Sequence, residues 1–135
     1  MLNDPPQSVA RFRVLLVEDA PIMQKYLGEL VRTVPHLQYI GLAETVAEAL
    51  EIFERDRPNL VVLDLVLRAG SGMDVLREIK QRDPACRVVV FTSHAEPQYR
   101  KRCLADGADA FFSKSMEHRE LQQYLRTAGD IAPSL

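Results

Sequence analysis

Five short apolar segments recur along the chain at fairly even intervals. They are rich in Val, Leu and Phe and do not alternate strictly with polar residues, which is typical of parallel strands covered on both faces. The pattern therefore predicts five buried strands. The segments are Phe12 to Val17, Tyr39 to Ala43, Leu60 to Leu63, Val88 to Phe91 and Ala110 to Phe112.

Each apolar segment is followed by a stretch with the three- and four-residue periodicity of an amphipathic helix. Pro21 and Pro97 suit a first helical turn, and Ser71-Gly72 suits a helix start. The last two helices are expected at Glu96 to Ala105 and at Met116 to Ala128. The apolar stripes comprise Ile22, Tyr26, Leu27, Leu30, Val31 and Val34; Val46, Ala49, Leu50 and Phe53; Val75, Leu76 and Ile79; Tyr99, Cys103 and Leu104; and Leu121, Tyr124 and Leu125.

Strand and helix thus alternate five times. Such alternation predicts an α/β fold in which a doubly wound, five-stranded parallel sheet is covered by five helices, giving a three-layer sandwich. The predicted domain covers residues 12–128. Residues 1–11 and 129–135 are predicted to be flexible tails.

The composition fits one soluble globular domain. Of the 135 residues, 47% are apolar and 27% are charged, and the net charge is −2. Because phosphate binding usually needs a concentrated basic face, this balance argues against direct nucleic acid binding. The basic triplet Arg100-Lys101-Arg102 is predicted to be an ordinary solvated helix face.

The sequence also favours a cytoplasmic protein that does not contact a membrane. Residues 1–11 are polar and contain Pro5-Pro6, unlike a secretory or transit peptide, and the longest apolar runs are too short to span a bilayer. Cys86 and Cys103 lie too far apart for a metal motif. They are predicted to be reduced thiols, buried or half-buried.

Polar residues that can do chemistry follow four of the five predicted strands. In a doubly wound sheet the carboxyl ends of the strands line the functional crevice, so these side chains are expected to meet there. They are Glu18 and Asp19 after the first strand, Asp64 after the third, Thr92 and Ser93 after the fourth, and Ser113 and Lys114 after the fifth.

Three carboxylates and one lysine make a cluster that is not neutral. Two carboxylates about 4 Å apart repel by roughly 4 kcal/mol at an effective dielectric constant near 20. The cluster is therefore expected to take up protons or a cation, and Mg²⁺, or Mn²⁺ in its place, suits oxygen ligands. Glu18 and Asp19 are predicted to be the main ligands, with one oxygen from Asp64.

Asp64 closes the apolar run Leu60 to Leu63 and is expected to be held rigidly at the crevice. Beside a cation that neutralises phosphate oxygens, its carboxylate can act as a nucleophile and form an aspartyl phosphate. Lys114 and Thr92 would each bind a phosphoryl oxygen. Taken singly, each residue is more often a helix cap, a turn former or a surface residue. Their order at successive strand ends favours the chemical interpretation.

The order of these motifs resembles the receiver domains of bacterial two-component response regulators. The resemblance runs from about residue 12 to residue 128 and implies a flavodoxin-like fold. The matching segments are Leu16-Val17-Glu18-Asp19, Val62-Leu63-Asp64, Phe91-Thr92-Ser93 and Phe112-Ser113-Lys114, together with Gly72 and Gly107-Ala108-Asp109-Ala110.

The resemblance implies a phosphorelay signalling domain and not a turnover enzyme. A histidine kinase or phosphotransfer protein would phosphorylate Asp64, and the backbone carbonyl of Val66 would complete the metal ligands. Thr92 and the aromatic Phe111 would move as a switch. A downstream target protein would then bind the face formed by residues 96–128, and a homodimer is compatible with the same scheme.

The sequence departs from the usual receiver pattern at three positions. Arg68 stands where proline is usual, so the loop after Asp64 is expected to differ in shape, and Ser115 also stands where proline is usual. A cis bond before a residue other than proline costs about 2.5–4 kcal/mol, which favours a trans bond between Lys114 and Ser115. Phe111 lacks the hydroxyl of the tyrosine found in many relatives.

Two further positions are predicted to tune the lifetime of the phosphoryl group. Val66 and His94 lie two residues beyond Asp64 and Thr92, beside the place where an attacking water must sit. Apolar Val66 gives that water no partner, which predicts slow self-dephosphorylation. His94 could orient water, although an exposed loop histidine is the commoner case.

The remaining histidines, His36 and His118, have no recognisable partner in the sequence and are predicted to lie at the surface.

Other functions fit the sequence less well. A dehalogenase-like phosphatase needs a second acid where this chain has Val66, and a dinucleotide site needs a glycine-rich turn where it has Glu18 to Pro21. A degenerate receiver that binds proteins without phosphorylation remains an alternative. The short segment after the last helix, together with Met1, favours a stand-alone receiver over one domain of a longer regulator.

Overall fold

The computed structural model of the protein describes residues 12–128, and the two predicted tails lie outside the described residues. Within this range five strands alternate with five helices, as the sequence predicts. In chain order the elements are β1 (Phe12–Val17), α1 (Pro21–Arg32), β2 (Leu37–Ala43), α2 (Val46–Asp56), β3 (Leu60–Leu63), α3 (Gly72–Arg82), β4 (Arg87–Thr92), α4 (Pro97–Ala105), β5 (Ala110–Ser113) and α5 (His118–Ala128).

The strands form one parallel sheet in the order β2-β1-β3-β4-β5, which confirms the doubly wound fold. Because β1 lies between β2 and β3, the direction in which strands are added reverses there, and a crevice opens at the carboxyl ends of β1 and β3. The register places Val17 opposite Leu63 and Leu63 opposite Val90. Glu18 and Asp64, which follow β1 and β3, therefore begin at the same level of the sheet, and β4 continues beyond that level to Thr92.

Two apolar clusters cover the two faces of the sheet, so the predicted three layers are present. Helices α1 and α5 pack on one face, and α2, α3 and α4 pack on the other. Inward residues alternate along each strand between the two clusters, which explains why the strands lack a polar face. The α1–α5 side includes Val14, Leu16, Leu27, Val31, Val62, Phe91, Leu121 and Leu125, and the other side includes Leu15, Val17, Phe53, Val61, Leu63, Leu76, Ile79 and Cys103.

The register of the edge strand β2 against β1 is interrupted by one residue. Val14 lies opposite Tyr39, whereas Leu15 lies opposite Gly41, so Ile40 is an extra residue in β2. This is the pattern of a β-bulge, which bends a strand and increases its twist.

Several element ends differ by one or two residues from the sequence prediction. Strand β2 begins earlier, at Leu37, and α5 begins later, at His118, because a hydrogen-bonded turn occupies the positions before it. Four residues assigned to apolar stripes or helix starts prove exposed, namely Ile22 (84%), Tyr99 (37%), Leu104 (47%) and Met116 (79%). Ile22 lies in the first turn of α1, beyond the sheet, and in α4 the inward position is taken by Cys103.

Both thiols are buried, as predicted, and Cys86 and Cys103 are free cysteines. Burial raises the pKa of the Cys86 thiol to about 12. Across residues 12–128, no helix combines the length and the apolar character needed to cross a membrane.

Candidate functional site

The predicted polar residues extend the sheet by one position beyond the strands. The N–H of Asp64 donates to the carbonyl of Val17 at 3.0 Å, and the N–H of Lys114 donates to the carbonyl of Thr92 at 2.9 Å. The N–H of Glu18 donates in the same way to Ala43, at 2.9 Å. Backbone bonds of this kind fix the starting direction of each side chain at the crevice.

Lys114 joins two of the three predicted carboxylates. Its Nζ lies 2.8 Å from Oε1 of Glu18 and 3.0 Å from Oδ2 of Asp64. The side chains are largely removed from solvent, with 1% of Glu18, 9% of Asp64 and 13% of Lys114 exposed. The structure therefore brings together residues that are far apart in the sequence. Glu18 and Asp64 are separated by 46 positions, and Asp64 and Lys114 by 50.

The protonation behaviour of this group reflects a shortage of positive charge. Burial raises the pKa of Glu18, and the hydrogen bonds from Lys114 and from the N–H of Ala20 offset that effect only in part. For Lys114, burial alone would lower the pKa, but the two carboxylates outweigh it and raise the pKa. One ammonium group is thus shared between two acids, while a third acid lies beside them.

The three acids can supply oxygen ligands to one cation. Glu18, Asp19 and Asp64 each offer a carboxylate oxygen within 4.8 Å of the others. Hard divalent cations prefer such oxygen sets and complete them with water or phosphate oxygens. The donor chemistry and the unbalanced charge both fit a divalent metal. The carbonyl of Val66, in the loop after Asp64, stays a predicted ligand.

The simpler explanation of these residues as helix caps is not supported by the structure. Helix α1 begins after Ala20 with no side-chain cap, and α3 is capped by Ser71, whose Oγ accepts the N–H of Met73 at 3.1 Å. The carboxylate of Asp64 contacts Nζ of Lys114 at 3.0 Å and, at a long 3.5 Å, the N–H of Val66 in the following loop. Neither Asp19 nor Asp64 therefore serves as the cap of α1 or α3.

Thr92 lies at the end of β4, fully buried, next to β5. Its Oγ1 accepts the N–H of His94 at 3.1 Å, so it shapes the loop before α4 without capping that helix. The neighbouring Ser93 is exposed. Ser113 is buried, and its hydroxyl is engaged by the turn that carries Lys114.

Gly72 has a structural reason to be glycine. Its N–H donates to the carbonyl of Leu65 at 2.8 Å, and a Cβ at this position would overlap the carbonyl oxygen of Asp64. The start of α3 therefore lies against the backbone of the phosphoacceptor candidate. Any side chain at position 72 would push one of the two away.

The positions that depart from the receiver pattern have their own contacts. Arg68 pairs with Glu44 at 3.4 Å, across the crevice from the loop after Asp64 to the start of α2. Every peptide bond within residues 12–128 is trans, including that between Lys114 and Ser115. Phe111 is 3% exposed, so the aromatic side chain of β5 points inward in this structure.

The expectation that His36 and His118 have no partner is wrong, although both side chains are partly exposed. Nδ1 of His118 lies 3.1 Å from the hydroxyl of Tyr26, and its ring packs edge-on against Phe91, because α5 lies beside α1. His36 Nε2 lies 3.1 Å from the carbonyl of Arg126. Neither histidine is without a partner.

The basic triplet is also not wholly a solvated face. Arg100 is half-buried and bonds both Phe111 and Glu117, because α4 lies against β5. Glu117 lies too far along the chain from Arg100 for helical periodicity to pair them.

A second set of contacts behind the acids was missed by sequence reasoning. Nε2 of Gln24 donates to the carbonyl of Glu18 and to the carboxylate of Glu44, both at 2.8 Å. These bonds tie α1 to the backbone of Glu18. In the sequence, Gln24 is one polar residue in an amphipathic helix, and nothing distinguishes it from its solvated neighbours.

Known proteins with the same pattern include both single receivers and longer regulators. The profile of the response regulator receiver domain matches residues 14–126. The DNA-binding transcriptional activator DevR/DosR of Mycobacterium tuberculosis is 29% identical over 117 residues, which cover 87% of this chain and 54% of that protein. Chemotaxis protein CheY of Halobacterium salinarum is 29% identical over 105 residues, which cover 78% of this chain and 86% of that protein.

Solved structures show the same fold. A LuxR-family two-component response regulator from Aurantimonas sp. SI85-9A1 matches with a TM-score of 0.81 and 28% identity, covering 90% of this chain and 86% of that chain.

The relatives also bear on the partners expected from the sequence. The chain spans about half the length of the first curated relatives it matches, 54% of DevR/DosR and 57% of the nitrate/nitrite regulator NarL of Escherichia coli. Since one of them is named a DNA-binding protein, the expectation that nucleic acid is no direct partner has no support from these relatives. The matched profile, the fold and the arrangement of Glu18, Asp64 and Lys114 agree, and the chain belongs to the response regulator receiver domain family of two-component signalling.

Proposed function

We propose that the protein is a phosphorylation switch in which Asp64 accepts a phosphoryl group from the phosphohistidine of a kinase or phosphotransfer protein. The observation that carries the proposal is the position of Lys114 Nζ, which lies 3.0 Å from Asp64 and 2.8 Å from Glu18 at the carboxyl edge of the sheet. In the transfer, a carboxylate oxygen of Asp64 forms a bond to phosphorus while the phosphorus–nitrogen bond of the phosphohistidine breaks. The imidazole leaves and takes up a proton.

The side chains around Asp64 have separate tasks. Lys114 moves its hydrogen bond from the carboxylate to a phosphoryl oxygen, which is a charge-assisted contact. The hydroxyl of Thr92 gives up the N–H of His94 and turns toward another phosphoryl oxygen. A Mg²⁺ or Mn²⁺ ion held by Glu18, Asp19, Asp64 and the carbonyl of Val66 would neutralise charge on the phosphate.

The same geometry supports a signalling role and not a turnover enzyme. The residue two places beyond Asp64 is Val66, which is half exposed and has no acid or base with which to activate water. The phosphorylated form is therefore expected to persist. Phosphorylation changes the charge at Asp64, and the movements of Thr92, Lys114 and Phe111 would pass that change to the face of residues 96–128.

The partners we propose follow from this scheme. The phosphodonor reaches Asp64 from the open edge of the crevice. Two exposed apolar side chains follow the site residues there: Ile22 comes three residues after Asp19, and Met116 comes two residues after Lys114. Exposed apolar side chains of this kind suit a protein contact. The face of residues 96–128 would bind a downstream protein or a second copy of the chain. Such a relay operates in the cytoplasm.

The proposal is tested by incubating the purified chain with phosphoramidate and Mg²⁺ and measuring its intact mass. We expect the wild type to gain the mass of one phosphoryl group and Asp64→Asn to gain none. Asp74→Asn is the matched control, because it makes the same change on the exposed side of α3.

The alternative is a degenerate receiver that binds partners without phosphorylation. Wild-type protein that stays unlabelled under conditions that label an established receiver would favour that alternative and reject the proposal. Labelling that persists in Asp64→Asn would instead place the phosphoacceptor elsewhere.

A further inference from the structure

A second charged cluster, outside the carboxylate site, joins α4 to the turn after β5. One oxygen of Glu117, Oε1, accepts two hydrogen bonds, from the backbone N–H of Ser113 at 2.8 Å and from Nη2 of Arg100 at 2.8 Å. The other terminal nitrogen of Arg100, Nη1, donates to the carbonyl of Phe111 at 3.0 Å. The guanidinium also lies over the ring of Phe111, with its carbon 4.8 Å from the ring centre.

This cluster fixes the backbone of Ser113, the residue that precedes Lys114. The hydroxyl of Ser113 accepts hydrogen bonds from the N–H of Ser115 at 3.2 Å and from the N–H of Met116 at 3.3 Å. The backbone N–H of Ser113 itself donates to the carboxylate of Glu117. On the other side, the N–H of Lys114 is bound by the carbonyl of Thr92. The backbone from which the lysine side chain starts is thus fixed by hydrogen bonds on both sides.

Hydrogen bonds have a particular importance in this turn because no proline is present. Proline fixes one backbone dihedral by its ring. Ser115 imposes no such restriction, so the turn depends on the hydroxyl of Ser113 and on Glu117 for its shape. Loss of those bonds would leave the Lys114 backbone free to adopt other conformations.

The charge state of Glu117 favours these contacts. Burial acts to raise its pKa, but the N–H of Ser113 and the guanidinium of Arg100 outweigh burial and lower the pKa. Glu117 is therefore ionised at neutral pH, and both of its hydrogen bonds are charge-assisted. The side chains of Arg100 and Glu117 are 40% and 27% exposed, so solvent weakens the pair without removing it.

We propose that Arg100 is a positioning residue for Lys114, which it orients through Glu117 and the N–H of Ser113. The inference rests on the proposed function, since Lys114 is the group that meets the phosphoryl oxygen there. It adds a direct mechanical link between α4 and the site. When Lys114 moves toward a phosphoryl group, the turn at Ser113 moves with it, and Arg100 transmits that shift to α4.

The first test measures the turn itself and does not require phosphorylation. Amide hydrogen exchange at Ser113, followed by NMR, reports whether its N–H is bound. We expect exchange to accelerate by about tenfold in Arg100→Ala, the factor that corresponds to one charge-assisted hydrogen bond, and further in Glu117→Ala. Glu117→Gln is the milder variant, because its amide oxygen still accepts the N–H of Ser113 while the ionic contact is lost.

Arg102→Ala is the matched control for Arg100→Ala. It removes the same charge from an exposed position of the same helix, and we expect it to leave Ser113 exchange unchanged. The amide of Val89, in the middle of β4, should be unaffected in all variants. Equal exchange at Ser113 in wild type and Arg100→Ala would overturn the inference.

The second test is a double-mutant cycle on the rate of labelling by phosphoramidate at saturating Mg²⁺. If Arg100 acts through Glu117, Arg100→Ala and Glu117→Ala each slow labelling, and the double variant is no slower than Glu117→Ala alone. Rates that multiply in the double variant would contradict this order of action. So would an unchanged rate in Arg100→Ala with a lowered melting temperature, the signature of a contact that only stabilises the fold.

The two tests separate this inference from the proposed function. Wild-type protein that cannot be labelled removes the phosphoacceptor role of Asp64, yet the exchange experiment still decides whether Arg100 fixes the turn. Wild-type protein that is labelled, with Arg100→Ala labelled at the same rate, keeps the proposed function and rejects Arg100 as a positioning residue.

Discussion

Among the described residues, Glu18 is the most buried charged side chain, and its environment opposes its ionisation. Burial outweighs the hydrogen bonds from Lys114 and Ala20, so the folded protein holds a proton on Glu18 more tightly than the unfolded chain does. Folding is therefore favoured as the pH falls through the raised pKa. Above that pKa the ionised carboxylate lowers the free energy of unfolding.

It follows that Glu18→Gln should not destabilise the metal-free protein at pH 7. We expect it to unfold at the same or a higher urea concentration than the wild type, with the difference shrinking as the pH falls toward the ordinary glutamate value of 4.5. Urea titrations at several pH values measure this. Glu51→Gln, an exposed change in α2, is the control. A large loss of stability in Glu18→Gln at every pH would show that its hydrogen bonds outweigh burial.

Asp19 gives a separate prediction for the metal. A ligand that binds only the folded state stabilises it by mass action, by about 2.7 kcal/mol at a hundredfold excess over the dissociation constant. We expect Mg²⁺ to raise the melting temperature of the wild type and to have no effect on Asp19→Asn, which removes one of three carboxylates. Asp74→Asn should respond like the wild type. An equal rise in Asp19→Asn would place the ion elsewhere.

Val66 sets the lifetime of the phosphorylated form in our scheme. Its side chain is 51% exposed and apolar, so it can neither orient nor activate a water molecule near Asp64. We expect the wild-type phosphoprotein to lose its label slowly and Val66→Gln to lose it several-fold faster, since an amide can hydrogen-bond water. The decay of the intact-mass signal after removal of the donor measures both. A wild-type half-life of seconds would contradict the prediction.

At the scale of the elements, the start of α3 and the end of β3 are in unusually close contact. A Cβ at Gly72 would overlap the carbonyl oxygen of Asp64. The atoms nearest to this Cβ all belong to the backbone, which cannot rotate away as a flexible side chain can. Gly72→Ala is expected to lower the free energy of unfolding by about 1–3 kcal/mol or more, as overpacking does. It should also slow phosphorylation, because the overlap displaces Asp64.

Gly28→Ala is the appropriate comparison for Gly72→Ala. The added methyl group would lie 3.3 Å from the ring of Tyr39 and 3.4 Å from the end of Arg32, both side chains that can shift. Alanine is also the better helix former by about 1 kcal/mol. Gly28→Ala should therefore be close to neutral in denaturation and in labelling. Similar losses in both variants would mean that glycine matters at position 72 for another reason.

The elements and the strand-end residues could be predicted because both follow from local pattern. Each buried strand is an apolar run, and parallel strands present their carboxyl ends at one edge, so Asp64 and Lys114 meet although 50 positions separate them. Contacts of a helix side chain with another helix or with a turn carry no such signal. His118 with Tyr26 and Arg100 with Glu117 depend on how α5 and α4 pack, and in the sequence these residues resemble solvated helix positions.

At the scale of the whole molecule, the two buried thiols report on the integrity of the core. Cys86 is 2% exposed and its pKa is raised to about 12, mainly by burial, so the folded protein keeps the thiol protonated. In the unfolded chain the thiol ionises near the ordinary value of 9.0. A group with a raised pKa contributes stability below its unfolded pKa and loses that contribution as the pH rises toward the folded value.

We therefore expect the stability advantage of the wild type over Cys86→Ala to fall as the pH is raised through 9.0 toward about 12. Urea denaturation at increasing pH gives the difference.

In the native protein at pH 8, neither Cys86 nor Cys103 should react with a thiol reagent until the chain unfolds. Rapid reaction of the native protein would show that the core on the α2–α4 side opens more readily than its packing implies.

The extra residue at Ile40 has a consequence for how the molecule behaves in a crowded solution. Strand β2 is one of the two edges of the sheet, and a long, straight edge invites strands of other molecules to pair with it. The bulge divides this edge into two short ladders whose hydrogen-bonding groups are out of step. The other edge, β5, is only four residues long. The backbone thus offers little straight edge at which strands of other molecules could pair with the sheet.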